Sequence, residues 1–181
     1  MFLVEEASAA NLLKTLLPSM LPPGLSFRVL AHRGKNDLKR SIPRKLREWR
    51  TPDTRFVVLH DQDGRDCLAL KDELRQLCHQ AGRPDTLVRI VCQELESWYF
   101  GDVEALAEVY GEAALTKIRG KAPFRVPDRI AKPSRELERL IPEFQKGSAS
   151  ESVPGFMLPE RNVSQSFQQF RAGIGRLSAN T

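Results

Sequence analysis

Asp61 and Asp63 stand just after a run of apolar residues, 56–59, in the stretch RFVVLHDQDGRDC. A short apolar run of this kind is typical of a buried strand. Alternating positions in an extended chain face the same side, so we expect the two carboxylates to lie side by side. They would repel each other without a cation, and carboxylate oxygens suit Mg²⁺ or Mn²⁺. The pair is therefore a candidate metal site.

The same residues have other interpretations. Asp-x-Asp-Gly is also a good turn former, because Asp side chains cap turns and Gly64 accepts a positive φ. Taken alone, the pair favours a turn. It also resembles the Asp-x-Asp of haloacid-dehalogenase-like phosphatases, although Arg65 stands where these enzymes usually have Thr or Val. An EF-hand calcium loop is excluded, because Arg65 and Asp66 occupy positions that need a ligand and a glycine.

Two further acidic groups follow apolar runs. Glu5 and Glu6 close the apolar start of the chain, and Glu94 and Glu96 follow the stretch TLVRIVC, 86–92. In an open α/β sheet the ligand crevice lies at the carboxyl ends of the strands. We therefore expect these carboxylates to meet the aspartate pair at one edge of a sheet.

A basic run follows the second predicted strand. Its eight cationic residues, against two acidic ones, are Arg33, Lys35, Lys39, Arg40, Arg44, Lys45, Arg47 and Arg50. The run begins at the sheet edge where we expect the carboxylates, so Lys35 and its neighbours could reach a phosphate lying over them. A solvated helix face is the alternative, and it is the usual role of such a run.

The elements that must position these groups alternate along the first hundred residues. Predicted strands lie at residues 2–5, 25–32, 56–59 and 86–92. Helical patterns separate them, and Pro43 predicts a kink or a fresh start within the second helix. Strands joined through helices of this length predict a mostly parallel sheet in a three-layer α/β domain over residues 1–100.

The rest of the chain, 101–181, has a different character. Prolines recur through it between Pro123 and Pro159, and they interrupt a largely polar sequence. We expect a helical, loop-rich extension that packs on the same core, with a flexible stretch at 145–152. Ser166 and Gln169 predict a capping box at the start of a last helix.

Composition limits the class of protein. The chain has 181 residues, 41% of them hydrophobic and 28% charged, which is typical of one globular domain. A net charge of +5 favours an anionic partner. No run is long enough to span a membrane, and the first residues lack the pattern of a secretory signal. Three scattered cysteines predict reduced thiols in a cytoplasmic protein.

The order of these motifs is similar to that of a known family. The segments LVEE, VVLHDQDG and ELESWYFGD follow one another as in a Toprim-like domain. The whole chain, including GKNDLKRSIPRKL and PERNVSQSFQQF, resembles the bacterial family called domain of unknown function 4276, a relative of the Toprim part of OLD-type nucleases. The resemblance implies a Toprim/Rossmann-like sheet.

The resemblance also implies roles for the acidic residues. Toprim domains use a glutamate after the first strand, here Glu5, as a general acid/base or metal-linked group. Their Asp-x-Asp holds Mg²⁺, which implies that Asp61 and Asp63 are ligands. This chain has Glu6 where family members usually have glycine, so Glu6 either adds a ligand or points outward.

The third acidic group belongs to a Glu-x-Trp-like signature of the family. The resemblance implies that Glu96 completes the metal site, whereas Trp98 and Tyr99 could equally mark a packing motif. Nothing marks either tyrosine of the chain, Tyr99 or Tyr110, as a nucleophile, so topoisomerase activity is not expected.

The implied function is a Mg²⁺- or Mn²⁺-dependent nuclease acting on DNA or RNA. The candidate nucleic-acid-binding residues are Arg33, Lys35, Lys39, Arg40 and Arg44. Members of the family tend to be encoded beside an ATPase, in contexts that suggest phage defence, so an ATPase partner is expected. The alternatives are a non-catalytic nucleic-acid-binding or regulatory subunit of an ATPase complex, and a phosphatase acting on small molecules.

Overall fold

A computed structural model describes residues 1–179. Its sheet has four parallel strands in the order β2-β1-β3-β4. The strands are β1 (Phe2–Val4), β2 (Val29–Ala31), β3 (Val57–Asp61) and β4 (Leu87–Val91). Helices cover both faces, which confirms the predicted three-layer, Rossmann-like α/β fold with a helical C-terminal region.

Eight α-helices surround the sheet in the described part of the chain. They are α1 (Ala7–Met20), α2 (Lys35–Glu48), α3 (Cys67–Gln80), α4 (Glu96–Gly101), α5 (Val103–Tyr110), α6 (Pro133–Leu140), α7 (Lys146–Ser152) and α8 (Gln165–Ala179). The 3₁₀ turns are Ala113–Gly120, Ala122–Phe124, Pro127–Arg129 and Val153–Gly155.

Alternating strand residues divide the core into two layers. On β3, Val58 faces α2 and α3, whereas Val57 and Leu59 face the layer that holds α1 and the C-terminal helices. All three side chains are at most 2% exposed. A parallel sheet covered on both faces needs strands that are largely apolar, which is why β3 begins with the apolar residues Val57, Val58 and Leu59.

The strand order places a crevice between β1 and β3. From β1 the chain crosses to β2 on one side, and it then returns past β1 to β3 on the other. Ligands of open α/β sheets bind outside the carboxyl ends of the strands where the order reverses. We call this end of the sheet, where the carboxyl ends of the strands lie, the carboxyl edge. Glu5 follows β1 there and Asp61 ends β3.

Several local predictions need correction. The second strand is shorter than predicted, Val29–Ala31 instead of 25–32. One helix, α2, runs through Pro43, because its residues Ile42 and Leu46 are fully buried against α3 and hold it in place. The last helix is capped by Ser164, whose hydroxyl accepts a hydrogen bond from the N–H of Phe167, and not by Ser166.

The predicted flexible stretch is also different in the structure. Residues 146–152 form α7, which packs against α1. Its buried residues Ala149 and Ser150 make this contact possible, a pattern too short to stand out in a polar sequence. Between residues 1 and 179, no helix is long and apolar enough to cross a membrane.

Candidate functional site at the carboxyl edge

A turn separates the two aspartates. Asp61 is the last residue of β3, while Asp63 has a φ of 51° and Gly64 a φ of 71°. The N–H of Arg65 donates to the carbonyl of Gln62 and closes the turn. The expectation that an extended chain aligns the two carboxylates is therefore wrong, and the turn interpretation describes the backbone here.

Glu5 is buried beside the end of β3. The residue is 8% exposed, and its Oε2, which lies 3.2 Å from Nδ1 of His60, has no hydrogen bond within residues 1–179. Burial and the negative charges of Asp63 and Glu6 raise the pKa of Glu5 to about 7, although a backbone hydrogen bond from Asp61 opposes the shift. Glu5 can therefore take up or release a proton near neutral pH.

His60 does not supply a positive charge to this group. Its Nδ1 lies 2.6 Å from the carbonyl oxygen of Asp61, so the ring N–H donates a hydrogen bond to that oxygen. Burial lowers the pKa of His60, which keeps the imidazole neutral. The carboxylate of Glu5 consequently has a neutral neighbour on this side.

Asp61 lies among the other acidic side chains. Burial raises the pKa of Asp61 well above its ordinary value, and the charges of Glu5, Glu96 and Asp63 add to the shift. Lys146 opposes it. The edge thus gathers the four carboxyl groups predicted as ligands into one electrostatically coupled group.

Lys146 is a residue of the candidate site that the sequence did not reveal. This first residue of α7 places its Nζ 3.5 Å from Oε1 of Glu96, which is 2% exposed. The other carboxylate oxygen of Glu96 has no hydrogen-bond partner in the described part of the chain. Burial of Lys146 alone would lower its pKa, but the carboxylates of Glu96, Glu94, Glu6 and Asp61 outweigh burial and raise it. Burial raises the pKa of Glu96 in spite of this lysine.

Glu94, Glu6 and Tyr99 lie near the edge in different environments. Glu94 accepts a hydrogen bond from the N–H of Ser134, in the first turn of α6, so it caps that helix. Glu6 is exposed, which fits the outward-pointing alternative. Burial raises the pKa of Tyr99 well above its ordinary value, and its hydroxyl has no hydrogen-bond partner among the described residues.

The predicted basic residues differ in their surroundings. Lys35 lies at the edge, with Nζ 3.3 Å from Oδ2 of Asp63. Lys39 instead joins α2 to α3, through a 2.7 Å contact with Oε1 of Glu73. Arg33, Arg40 and Arg44 are exposed, as Lys35 is. Of these five residues, and within residues 1–179, only Lys35 thus contacts an acidic residue of the edge.

The donor set suits a divalent cation in its chemistry. It offers carboxylate oxygens, and two of them, Oε2 of Glu5 and Oε2 of Glu96, are buried without a hydrogen bond from any described residue. However, within residues 1–179 no three His, Cys, Asp or Glu side chains converge closely enough to hold a metal ion as they stand. Binding would therefore require rotation of side chains whose negative charges now repel one another.

Trp98 belongs to the core. It is fully buried, and its Nε1 donates to Oγ of Ser166 at 2.9 Å. The amide of Asn162 donates to the carbonyl oxygen of Trp98, and a side chain at Gly101 would collide with that amide. The packing interpretation of the Glu-x-Trp signature therefore holds for its tryptophan.

Asp102 completes this contact. Its fully buried carboxylate accepts hydrogen bonds from Nε and Nη2 of Arg161, at 2.7 and 3.1 Å, and from the N–H of Leu158. The segments ELESWYFGD and PERNVSQSFQQF thus meet in space. We call this contact the motif joint; its residues are Trp98, Gly101, Asp102, Arg161, Asn162 and Ser166.

Glu5 predicts how stability depends on pH. The pKa of Glu5 is about 7 in the folded protein, against an ordinary value of 4.5. Between pH 4.5 and about pH 7, the folded protein therefore holds a proton on Glu5 that the unfolded chain has released. Linkage then makes the free energy of unfolding fall as pH rises through this window, by up to about 3 kcal/mol. Urea unfolding at about pH 5 and pH 8 measures it. Glu5→Gln should lose less stability than the wild type, and equal losses would exclude Glu5 as the source.

Comparison with protein families gives a match. A model of the family described as Domain of unknown function (DUF4276) matches residues 4–175. No curated protein and no solved structure matches the chain.

Proposed function

Because the chain belongs to the DUF4276 family, whose description states no activity, we propose from the site itself that it is a metal-dependent nuclease, which hydrolyses phosphodiester bonds of DNA or RNA. The observation that carries the proposal is the coupled group of carboxylates at the carboxyl edge, with Glu5, Asp61 and Glu96 raised in pKa by burial. Such strongly perturbed groups in a crevice are typical of functional sites.

The residues present suggest how the chemistry would be divided. Glu5, Asp61, Asp63 and Glu96 would hold Mg²⁺ or Mn²⁺, which when bound neutralises phosphate charge and activates water. Glu5, with a pKa of about 7, would relay a proton. Lys35, half exposed beside Asp63, is free to turn toward a phosphate.

Cleavage assays test the proposal directly. Purified protein is incubated with end-labelled single- and double-stranded DNA and RNA, with Mg²⁺, with Mn²⁺ or with EDTA. We expect cleavage of at least one substrate that requires the divalent cation. If no substrate is cut and calorimetry detects no binding of either cation, the proposal is wrong.

Lys146 gives a second test that does not depend on activity. Lys146→Met leaves the carboxylate of Glu96 buried without a cation, so we expect the free energy of unfolding to fall. The loss should be only about 1–2 kcal/mol, because Lys146 is partly exposed and solvent screens its charge. Losing a positive charge should also strengthen Mn²⁺ binding, about three- to tenfold. Thermal unfolding and calorimetry measure the two effects. Lys132→Met, at an exposed lysine, is the control, and equal Mn²⁺ affinity in both variants would contradict the role of Lys146.

A second candidate is a non-catalytic subunit that binds nucleic acid or regulates an ATPase complex. It is favoured by the lack of three converging ligands within residues 1–179. Nucleic-acid binding without binding of Mg²⁺ or Mn²⁺ would support this candidate over the nuclease. For either function, we also propose an ATPase partner and a role in phage defence. The resemblance to the Toprim part of OLD-type nucleases supports both.

A further inference from the structure

Four cationic side chains surround the open edge of the sheet at β4. They are Lys71 and Arg75 on α3, Arg89 on β4 and Arg176 on α8. We call them the β4-edge cluster. Helix α3 covers one face of the sheet and α8 the other, so the cluster includes cations from both outer layers and from the strand between them.

Arg89 is held in a fixed position at the centre of the cluster. Its Nε donates to the carbonyl of Gln169 at 3.0 Å, and its Nη1 donates to the carbonyl of Val88 at 3.1 Å. The guanidinium lies against Gly173, where an added Cβ would come within 2.8 Å of Nη2. The glycine therefore leaves the space that the arginine occupies.

Two cavities adjoin this arginine. One, of about 310 Å³, is lined by Arg75, Arg89 and Arg176, and also by Asp85, whose carboxylate contacts Arg55 at 3.8 Å. The other, of about 320 Å³, is lined by Arg89, Lys71 and Cys67, and also by Asp128, whose carboxylate accepts hydrogen bonds from Ser164 and Ser166. Each is large enough to admit a phosphate group, and each presents at least two of the four cations.

The charges of the cluster are poorly compensated. Among residues 1–179, no carboxylate lies within ion-pair distance of Lys71, Arg89 or Arg176, and Arg75 has only a 3.8 Å contact with exposed Asp72. Burial and the other arginines lower the pKa of Arg89 and of Lys71. Like charges gathered this way oppose one another unless an anion joins them.

The cluster leads away from the carboxyl edge. Helix α3 begins six residues after Asp61 at the end of β3, and Lys71 and Arg75 follow Cys67 at intervals of four residues. The two intervals correspond to about 12 Å along the helix axis. A chain of phosphates leaving the carboxylates could therefore continue past these side chains to Arg176.

We propose that the β4-edge cluster binds the backbone phosphates of a nucleic-acid strand whose cleavage site lies at the carboxyl edge. The inference rests on the proposed function for the identity of the ligand. Arginine favours this ligand because its planar fork binds phosphate oxygens in pairs. The strand would thus contact a surface separate from α2, where the sequence placed the basic residues.

Charge reversal tests the cluster without requiring activity. Binding of a short fluorescein-labelled single-stranded DNA is followed by anisotropy in EDTA, over a series of salt concentrations. Arg75→Glu with Arg176→Glu should weaken binding tenfold or more, and should reduce the slope of log affinity against log salt by about 1.4, for two lost contacts. Both residues are exposed, so the fold should survive, and thermal unfolding checks this.

A matched control separates location from net charge. Lys14→Glu with Arg171→Glu changes the net charge equally, at exposed positions on α1 and α8 away from β4. This variant should bind the DNA more tightly than the cluster variant does, with an affinity close to that of the wild type. Equal losses in both variants would overturn the inference, as would stronger competition by polyglutamate than by unlabelled DNA.

The outcomes also separate this inference from the proposed function. Hydrolysis of a small diester, bis(p-nitrophenyl) phosphate, should be unchanged in the cluster variant, because the ester cannot span from the carboxylates to Arg176. If the wild type cuts nothing and binds neither Mg²⁺ nor Mn²⁺, yet the cluster variant alone loses DNA binding, the phosphate surface stands and the nuclease proposal fails.

Discussion

Replacement of Asp61 by asparagine is expected to abolish phosphodiester cleavage and, at the same time, to make the folded protein more stable. The amide keeps the size of the side chain but removes a carboxylate that Glu5, Glu96 and Asp63 repel. Cleavage should fall at least about a hundredfold, the loss typical for one electrostatic group of an active site. The free energy of unfolding at about pH 8 should rise by about 1–2 kcal/mol.

Both readouts can be compared with a surface aspartate. Asp53 is exposed and has a φ of 53°, a conformation that asparagine also accepts. It precedes β3, at the opposite end of the strand from Asp61. Asp53→Asn should leave cleavage and stability nearly unchanged. An Asp61→Asn protein that cuts as fast as the wild type would place the chemistry elsewhere, and one that is less stable would contradict the repulsion.

Replacement of Asp102 by alanine should cause a large loss of stability. The change leaves the guanidinium of Arg161 without its bidentate partner and the N–H groups of Leu158 and Ala105 without their acceptor. Breaking a buried pair of this kind costs about 3–5 kcal/mol. For a chain of this length the melting temperature should fall by about 10 °C.

Two further variants isolate the cause. Glu160→Ala removes an exposed charge beside Arg161 and should change the melting temperature little. Arg161→Met combined with Asp102→Ala should cost less than the sum of the two single changes, because the residues act as a pair. A loss below about 1 kcal/mol for Asp102→Ala would mean that the motif joint does not depend on its carboxylate.

The sequence was sufficient to predict the positions of Glu5 and Asp61. Both follow strands, and the carboxyl ends of parallel strands must meet at one edge. The sequence was not sufficient to predict the position of Asp63. The choice between an extended tail and a turn depends on hydrogen bonds to the segment that follows β4, such as the one from the N–H of Asp63 to the carbonyl of Gln93. Local patterns do not contain such contacts.

Lys146 and Arg89 were not predictable for a different reason. Each gains its environment from elements distant in the chain: Lys146 when α7 packs on α1, and Arg89 when α8 covers β4. The role of Glu94 was not predictable for the same reason, because this residue caps α6, which lies about forty residues later in the chain. Sequence periodicity reports which face of an element is buried, but not which distant charge lies against it.

The motif joint has a consequence for how relatives of this protein can diverge. Gly101 and Asn162 fit together only as a pair, and so do Asp102 and Arg161. A mutation on one side should persist in a lineage only when the other side changes too, so the two segments should covary although about sixty residues separate them. A chimera that takes one segment from a distant relative and keeps the other should fail to fold, whereas a chimera that exchanges both together should fold.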